Sequence, residues 1–568
     1  MGALFMYEKS VSFNEEIVLQ YFKQKGFTSY SRFTINNYEL LLYRKQLLNE
    51  ENYIREHEHE LFVCGSLFYK SLGFKSSLQQ LLEDIIVNKV DNSDLYGNYI
   101  YIYYEIKTGK TLISVDPAHI KNIYYDSQNR ILSTDLLSIY VSNSQKYTVN
   151  RNAIIENIIS GMLISPDTYF NEIFQIDKIN FSELNTYFPS IEFEVIYPQI
   201  KKNIDDKASA IESANLDLEQ YFEKVSKISA EYGAHLGLTG GFDSRLLLIH
   251  AKKNIKDLHV NSFWRKNSKE FENAELLAKA AGKELFSLKD FEYTFLDIQF
   301  QGMYHFGGEI RSQNYWSEIF NTASYSTLLA NGSLVGFHGC GGEEYRNAER
   351  FRSANIDDYI KYEVLFKLSK DVFKNKAFEK QILNHIKNKV LRILELDINR
   401  FTLYEHKRYQ NEIWNSANRA TRVNALNQLM FYFAPFTEYQ ISFSAYDYIK
   451  HLGISLEFQQ LMIKQSNYKL AQVVSNYGFT MVKGETYKMM LRDKIISVLP
   501  RVFVHYMFHH YLKNKNHINE SQFQEALTYI KEYFVDIDGI DWDLILKNST
   551  LNKNLVSFEL LLKYLQEK

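Results

Sequence analysis

Two short segments carry residue types that could handle a phosphorylated ligand. The first is Leu238-Thr239-Gly240-Gly241-Phe242-Asp243-Ser244-Arg245. Gly240 and Gly241 present no side chains, so backbone N–H groups there can approach an anion closely. Thr239 and Ser244 add hydroxyl donors. Asp243 is out of place beside phosphate until a divalent cation lies between them, and a carboxylate is an ordinary oxygen ligand of Mg2+. The spacing is neither the Walker loop nor the dinucleotide fingerprint, because both the lysine and the glycine pattern are missing. The second segment is His338-Gly339-Cys340-Gly341-Gly342-Glu343-Glu344. Three glycines and two adjacent acids again suit a loop beside phosphate and metal. Alone, it reads better as a glycine loop with solvated acids; paired with the first segment upstream, it gains weight.

Both segments need strands behind them. AHLGL precedes the first and SRLLLIHAKK follows it, which predicts a strand handing over to a helix whose N-terminal partial charge faces the same anion. DLHVNSFW, KEFENAELLAKAAGKE and ELFSL continue the alternation, the grammar of a parallel sheet with crossover helices. SLVGF supplies a strand before the second segment. Upstream, 61–139 is strand-rich, with NYIYIYYEI apolar enough to be buried on both faces and SLQQLLEDII at helical spacing between. The pattern predicts an α/β chain in two domains, a layered β-sheet domain over 1–200 and a parallel-sheet domain over 201–568. From about Asp357 onward helical periodicity dominates, a helical extension of the second domain.

The 568 residues exceed what one core usually holds. With 65 Lys+Arg against 68 Asp+Glu, the net charge of −3 supplies no drive toward nucleic acid or anionic membrane. Cys64 and Cys340 stand far apart, which excludes a disulfide framework or cysteine-built zinc site and favours a reducing compartment. The N-terminal MGALFMYEKS shows no signal peptide, and no stretch reaches a membrane span, so a cytoplasmic protein is expected. Segment 154–165 reads as a short buried helix.

These residues resemble a family. LTGGFDS is similar to the SGGxDS loop of the N-type ATP pyrophosphatases, and HGCGGEE to the SG(D/E)G(G/A)DE loop of their asparagine synthetase branch. Ser262, in SFW, with Glu270 and Ala274, resembles that fold's second strand and helix. Tyr487-Lys488-Met489-Met490-Leu491-Arg492, with Leu499-Pro500, resembles its late KxxLR…LP segment. Upstream, Leu95-Tyr96-Gly97-Asn98-Tyr99 and 115–125 resemble the LxGxF and RDPxGIKPLYY of a glutamine amidotransferase domain of Ntn-hydrolase type. The resemblance implies a doubly wound ATP pyrophosphatase domain that binds ATP through Leu238, Thr239, Gly240, Gly241, Asp243, Ser244, Ser262, His338, Gly339, Gly341 and Gly342. It implies Mg2+ on Asp243 and Glu343. The partners are a small-molecule or peptide carboxylate and an amine or ammonia; homodimerisation is left open.

The departures are specific. The family's amidotransferase nucleophile is a cysteine at position 2, where this chain has Gly2; its glutamine-holding Asn-Gly-Glu is Cys64-Gly65-Ser66. Glutaminase activity is therefore not expected. Cys340 replaces the side chain that handles the incoming amine's proton, with a packing role an equal reading. The late catalytic lysine has no aligned counterpart; Lys483, Lys488 and Lys494 are candidates, with Lys488 the choice carried forward. The expected activity is ATP-dependent amide formation through an acyl-adenylate. Cyclases of the lasso-peptide or β-lactam type, a different adenylating pyrophosphatase and a non-catalytic ATP-binding descendant are the alternatives. His505, His509 and His510 are expected to be packed rather than metal-bound, and Gly307-Gly308-Glu309-Ile310-Arg311 suits a pocket or a salt bridge equally.

Overall fold

The computed structural model describes residues 2–198, 202, 204–262, 264, 266–287, 328–366, 372–513 and 539–546. It is a mixed α/β chain with several sheets. The first part contributes β1 (Ala3–Glu8), β2 (Tyr30–Ile35), β3 (Tyr38–Tyr43), β4 (Tyr53–Glu56), β5 (His59–Tyr69), β6 (Leu95–Glu105), β7 (Lys110–Val115), β8 (Tyr124–Asp126), β9 (Ile131–Ser133), β10 (Ile173–Gln175) and β11 (Glu192–Glu194). They form a six-stranded sheet, β10-β8-β9-β1-β3-β2, and a five-stranded sheet, β11-β7-β6-β5-β4.

Period-2 alternation explains why these strands read as unbroken apolar runs. Leu4 and Met6 of β1 join Phe62 and Cys64 of β5 and Ile100 and Ile102 of β6 in one core. The intervening Ala3, Phe5 and Tyr7 face a second core, shared with the helix Glu15–Gln24. Leu61, Val63, Tyr99 and Tyr101 face a third. The strands β1, β5 and β6 are thus buried on both faces, while the edge strands β2 and β4 are partly exposed. The helix Arg151–Ser160 is buried from Ala153 to Ser160 and stops at Gly161, whose φ of +77° suits glycine.

The second part holds a five-stranded parallel sheet of β12 (Ala234–Gly237), β13 (Leu258–Ser262), β14 (Leu285–Ser287), β15 (Val335–Phe337) and, beyond the short antiparallel pair β16 (Ser353–Asn355) and β17 (Arg400–Thr402), β18 (Phe431–Phe433). Its order is β14-β13-β12-β15-β18. The chain builds outward from β12 in one direction, then returns to add β15 and β18 on the other side. The reversal falls between β12 and β15, and ligands of open parallel sheets bind outside the carboxyl ends of strands at such a point. β18 is a strand within a stretch where helical periodicity dominates; three residues, Phe-Tyr-Phe, are too few to carry a period of their own.

The two parts share cores. Described residues between Leu48 and Leu112 and between Ile204 and Met481 contribute to one apolar cluster. Tyr432 N–H donates to Ser66 Oγ at 3.1 Å, and Lys45 Nζ donates to the Asn427 carbonyl at 2.5 Å. Glu438, 2% exposed, accepts from Gly97 N–H at 2.9 Å and from Tyr221 OH at 2.5 Å, so one carboxyl joins both parts. Burial pushes that carboxyl up to about 8. Between its ordinary range and pH 8 the native chain therefore holds a proton that the unfolded chain has lost, and stability falls as pH rises. Glu438→Gln is expected to remove up to about 1.4 kcal/mol per pH unit of that slope between pH 5 and 8. Parallel unfolding curves for wild type and variant check this.

Candidate functional site

β12 and β15 deliver the two glycine segments to the same edge of the sheet. Leu238 N–H still bonds the Asn261 carbonyl at 2.7 Å, and its side chain is buried in the core, so only its backbone borders the loop. Thr239 and Ser244 then lock the turn. Ser244 Oγ accepts from Thr239 N–H at 3.0 Å and donates to the Thr239 carbonyl at 3.2 Å, and Thr239 Oγ1 accepts from Gly241 N–H at 3.2 Å. Asp243 opens the helix Asp243–Asn254, whose first N–H groups have no acceptor within the helix. Ser262 ends the neighbouring β13, fully buried.

The loops touch through their glycines. A Cβ on Gly342 would lie 2.2 Å from Asp243 Oδ1, and one on Gly339 would lie 2.9 Å from Ser244 N. Gly341 has φ +94° and backs onto Phe436. A Cβ on Gly240 would meet Asn476 Oδ1 at 2.2 Å. Gly241 differs: its Cβ would meet only Thr239 Oγ1, at 3.1 Å, so packing within the chain does not demand a glycine there.

The two acids of the second loop go different ways. Glu343 Oε2 pairs with Arg419 Nη2 at 2.7 Å, and Oε1 lies 3.7 Å from Arg346 Nη2. Against the burial that would raise it, Arg419 and Arg346 hold Glu343 below its ordinary range. Glu344 is 1% exposed with neither oxygen hydrogen-bonded; burial pushes it up to about 7. Asp243 is gripped by Arg346 in a fork, Nη1 to Oδ1 at 2.5 Å and Nη2 to Oδ2 at 3.1 Å. Gln459 Nε2 adds a bond to Oδ1 at 2.7 Å. Burial lifts the Asp243 carboxyl and Arg346 opposes it. Asp243 and Glu343 thus both border Arg346, with Arg419 nearer on the other oxygen of Glu343. Two carboxylate side chains, one from each glycine loop, are a donor set suited to a hard divalent cation, and they fit Mg2+ beside a polyphosphate.

His338 Nδ1 accepts from Cys340 N–H at 3.0 Å, and burial keeps the ring neutral. Cys340 is half-buried and packs against the cluster of Ile120, Ala420, Val423 and Tyr432. Lys488 lies on the helix Tyr487–Val498 with its side chain exposed, as do those of Lys483 and Lys494, and none of the three is seen bonded to either loop. Among the described residues, Lys407 is the lysine that reaches the second loop. Fully buried, it donates to the Glu343 carbonyl and to Gln410 Oε1, both at 2.7 Å.

Sequence reasoning did not single out Arg346, Arg419, Gln459 or Lys407, nor the role of Arg245. Arg346 three residues after Glu343 and Arg245 directly after Ser244 were the visible signals. Elsewhere, Glu156, Asp167 and His385 bring ligand atoms within 4.8 Å of one another. Lys389 Nζ already stands between the carboxylates, at 2.7 and 2.8 Å, which makes this an ion network rather than a vacant metal site. The half-buried His505 ring is tilted against that of Tyr362, with centroids 5.4 Å apart; the side chains of His509 and His510, and all of 307–311, lie outside the described residues. Among the described residues no helix is long and apolar enough to cross a membrane. No family model matches the chain, and no curated protein matches it.

Proposed function

We propose that the chain is an ATP-dependent carbon–nitrogen ligase of the asparagine synthetase type, with a degenerate amidotransferase-like first part. The observation that carries the reading is the meeting of the two loops at the switch point of the parallel sheet, with Asp243 and Glu343 both bordering Arg346. In this reading the loop 238–244 and the helix start behind it hold the phosphates, and Asp243 and Glu343 hold Mg2+, which supplies charge neutralisation at the phosphates. A substrate carboxylate attacks the α-phosphorus, pyrophosphate leaves, and an amine displaces AMP from the acyl-adenylate. The chain's own residues position the reactants and stabilise developing charge.

The amine is supplied as free ammonia or by the substrate. A Cβ at position 2 would land 2.4 Å from the Phe27 ring and 2.9 Å from the Gln428 carbonyl, which leaves a nucleophilic side chain no room there. Glutamate release from glutamine is expected to stay at the level of a heat-killed control. For the ligase itself, the test is a screen of carboxylates with amines for AMP and pyrophosphate in equal amounts. Production of ADP and phosphate would overturn the proposal.

A further inference from the structure

Arg346 is 6% exposed and sits where the proposed cation would have to act. Its two terminal nitrogens take both oxygens of Asp243, Nη2 also faces Glu343 Oε1 at 3.7 Å, and Gln459 Oε1 fixes Nη1 at 2.7 Å. With Arg419 on the other oxygen of Glu343, two carboxylates meet two guanidinium groups, and the cluster is neutral without any metal. A divalent cation arriving alone would have to part Arg346 from Asp243 and leave that guanidinium nearly buried beside a second positive charge. A metal arriving with a polyphosphate brings a new partner, because the planar guanidinium fork matches phosphate oxygens as well as it matches a carboxylate.

We infer that Arg346 is a built-in counter-cation that makes the site refuse bare divalent metal and accept it only together with a polyphosphate. On this account Arg346 is a positioning residue: it holds Asp243 and Glu343 together before the ligand binds and turns to the phosphates afterwards. The inference rests on the nucleotide-site reading but concerns the competition between one side chain and a metal, which can be measured without turnover.

The experiment titrates Mn2+ alone, followed by electron paramagnetic resonance, into the full chain as wild type, Arg346→Gln and Arg346→Lys. Arg346→Gln is expected to bind Mn2+ at least about tenfold more tightly than wild type, about 1.4 kcal/mol, while Arg346→Lys stays near wild type. Equal or weaker binding by Arg346→Gln overturns the inference. If that variant is unfolded without metal, Mn2+ is expected to restore a cooperative melting transition, and failure to do so also overturns it. A parallel ATP titration separates the two claims. Tighter Mn2+ binding with no ATP binding by wild type keeps the counter-cation and removes the nucleotide; ATP binding with no change in Mn2+ affinity does the reverse.

Discussion

Asp243→Asn is expected to lower the affinity for Mg-ATP about a hundredfold, about 2.7 kcal/mol, while affinity for metal-free ATP changes far less. The asymmetry follows from the assigned role. Asp243 offers no hydrogen to a phosphate; it offers oxygen to a cation, and the amide retains only one weaker oxygen. The same substitution frees Arg346 from its fork, which would help an uncomplexed polyphosphate rather than harm it. The loop itself should survive, since Thr239 and Ser244 hold the turn through bonds that do not involve Asp243. Calorimetry with and without Mg2+ measures both affinities. Equal Mg-ATP affinity in wild type and variant would remove Asp243 from the metal site.

Arg245→Met is expected to cost about 3 kcal/mol, because a buried acceptor left without its donor costs about 1 to 3 kcal/mol. Arg245 is fully buried, and among the described residues its guanidinium pairs with no carboxylate. It donates instead to the carbonyls of Leu470, Val473, Val474 and Gly240, at 2.7 to 3.3 Å, and to Met481 Sδ at 3.0 Å. Burial pulls even this group down to about 10. One side chain therefore ties the phosphate loop to 470–481, and Asn476 N–H returns a bond to the Gly240 carbonyl at 3.2 Å. Methionine fills similar space and leaves four carbonyls without this donor. Amide exchange should accelerate in 238–242 and 470–481 while β12 and β15 stay protected. Unchanged exchange in both segments would show that Arg245 does not anchor the loop.

What the sequence discloses here depends on range. The strand–loop–helix around Asp243 and the strand before His338 are local, and periodicity plus glycine placement reveal them. Their juxtaposition is not local. Arg346 meets Asp243 across 103 positions, Gln459 across 216, and Arg419 meets Glu343 across 76. No window of sequence contains those pairs, and a buried arginine looks like any surface arginine until its partners are known. β18 escapes for a related reason: it is a strand because β15 lies beside it, not because three aromatic residues specify one. His119 shows the converse. It stands where the resembling motif has glycine and adopts the left-handed φ of +52°, while Asp116 takes the N–H groups of Ile120 and Lys121 at 2.9 and 2.8 Å to hold the turn. Motif departure there leaves the turn formed.

In the proposed reaction, a carboxylate attacks the α-phosphorus of ATP at these two loops. Once the pyrophosphate screen has found the carboxylate, the direct measurement is to label both of its oxygens with 18O and weigh the nucleotide product. AMP carrying one 18O is expected, because the acyl–phosphate oxygen stays with phosphorus when the amine attacks the carbonyl. Label in inorganic phosphate with ADP as the nucleotide, or unlabelled AMP, would contradict that reaction.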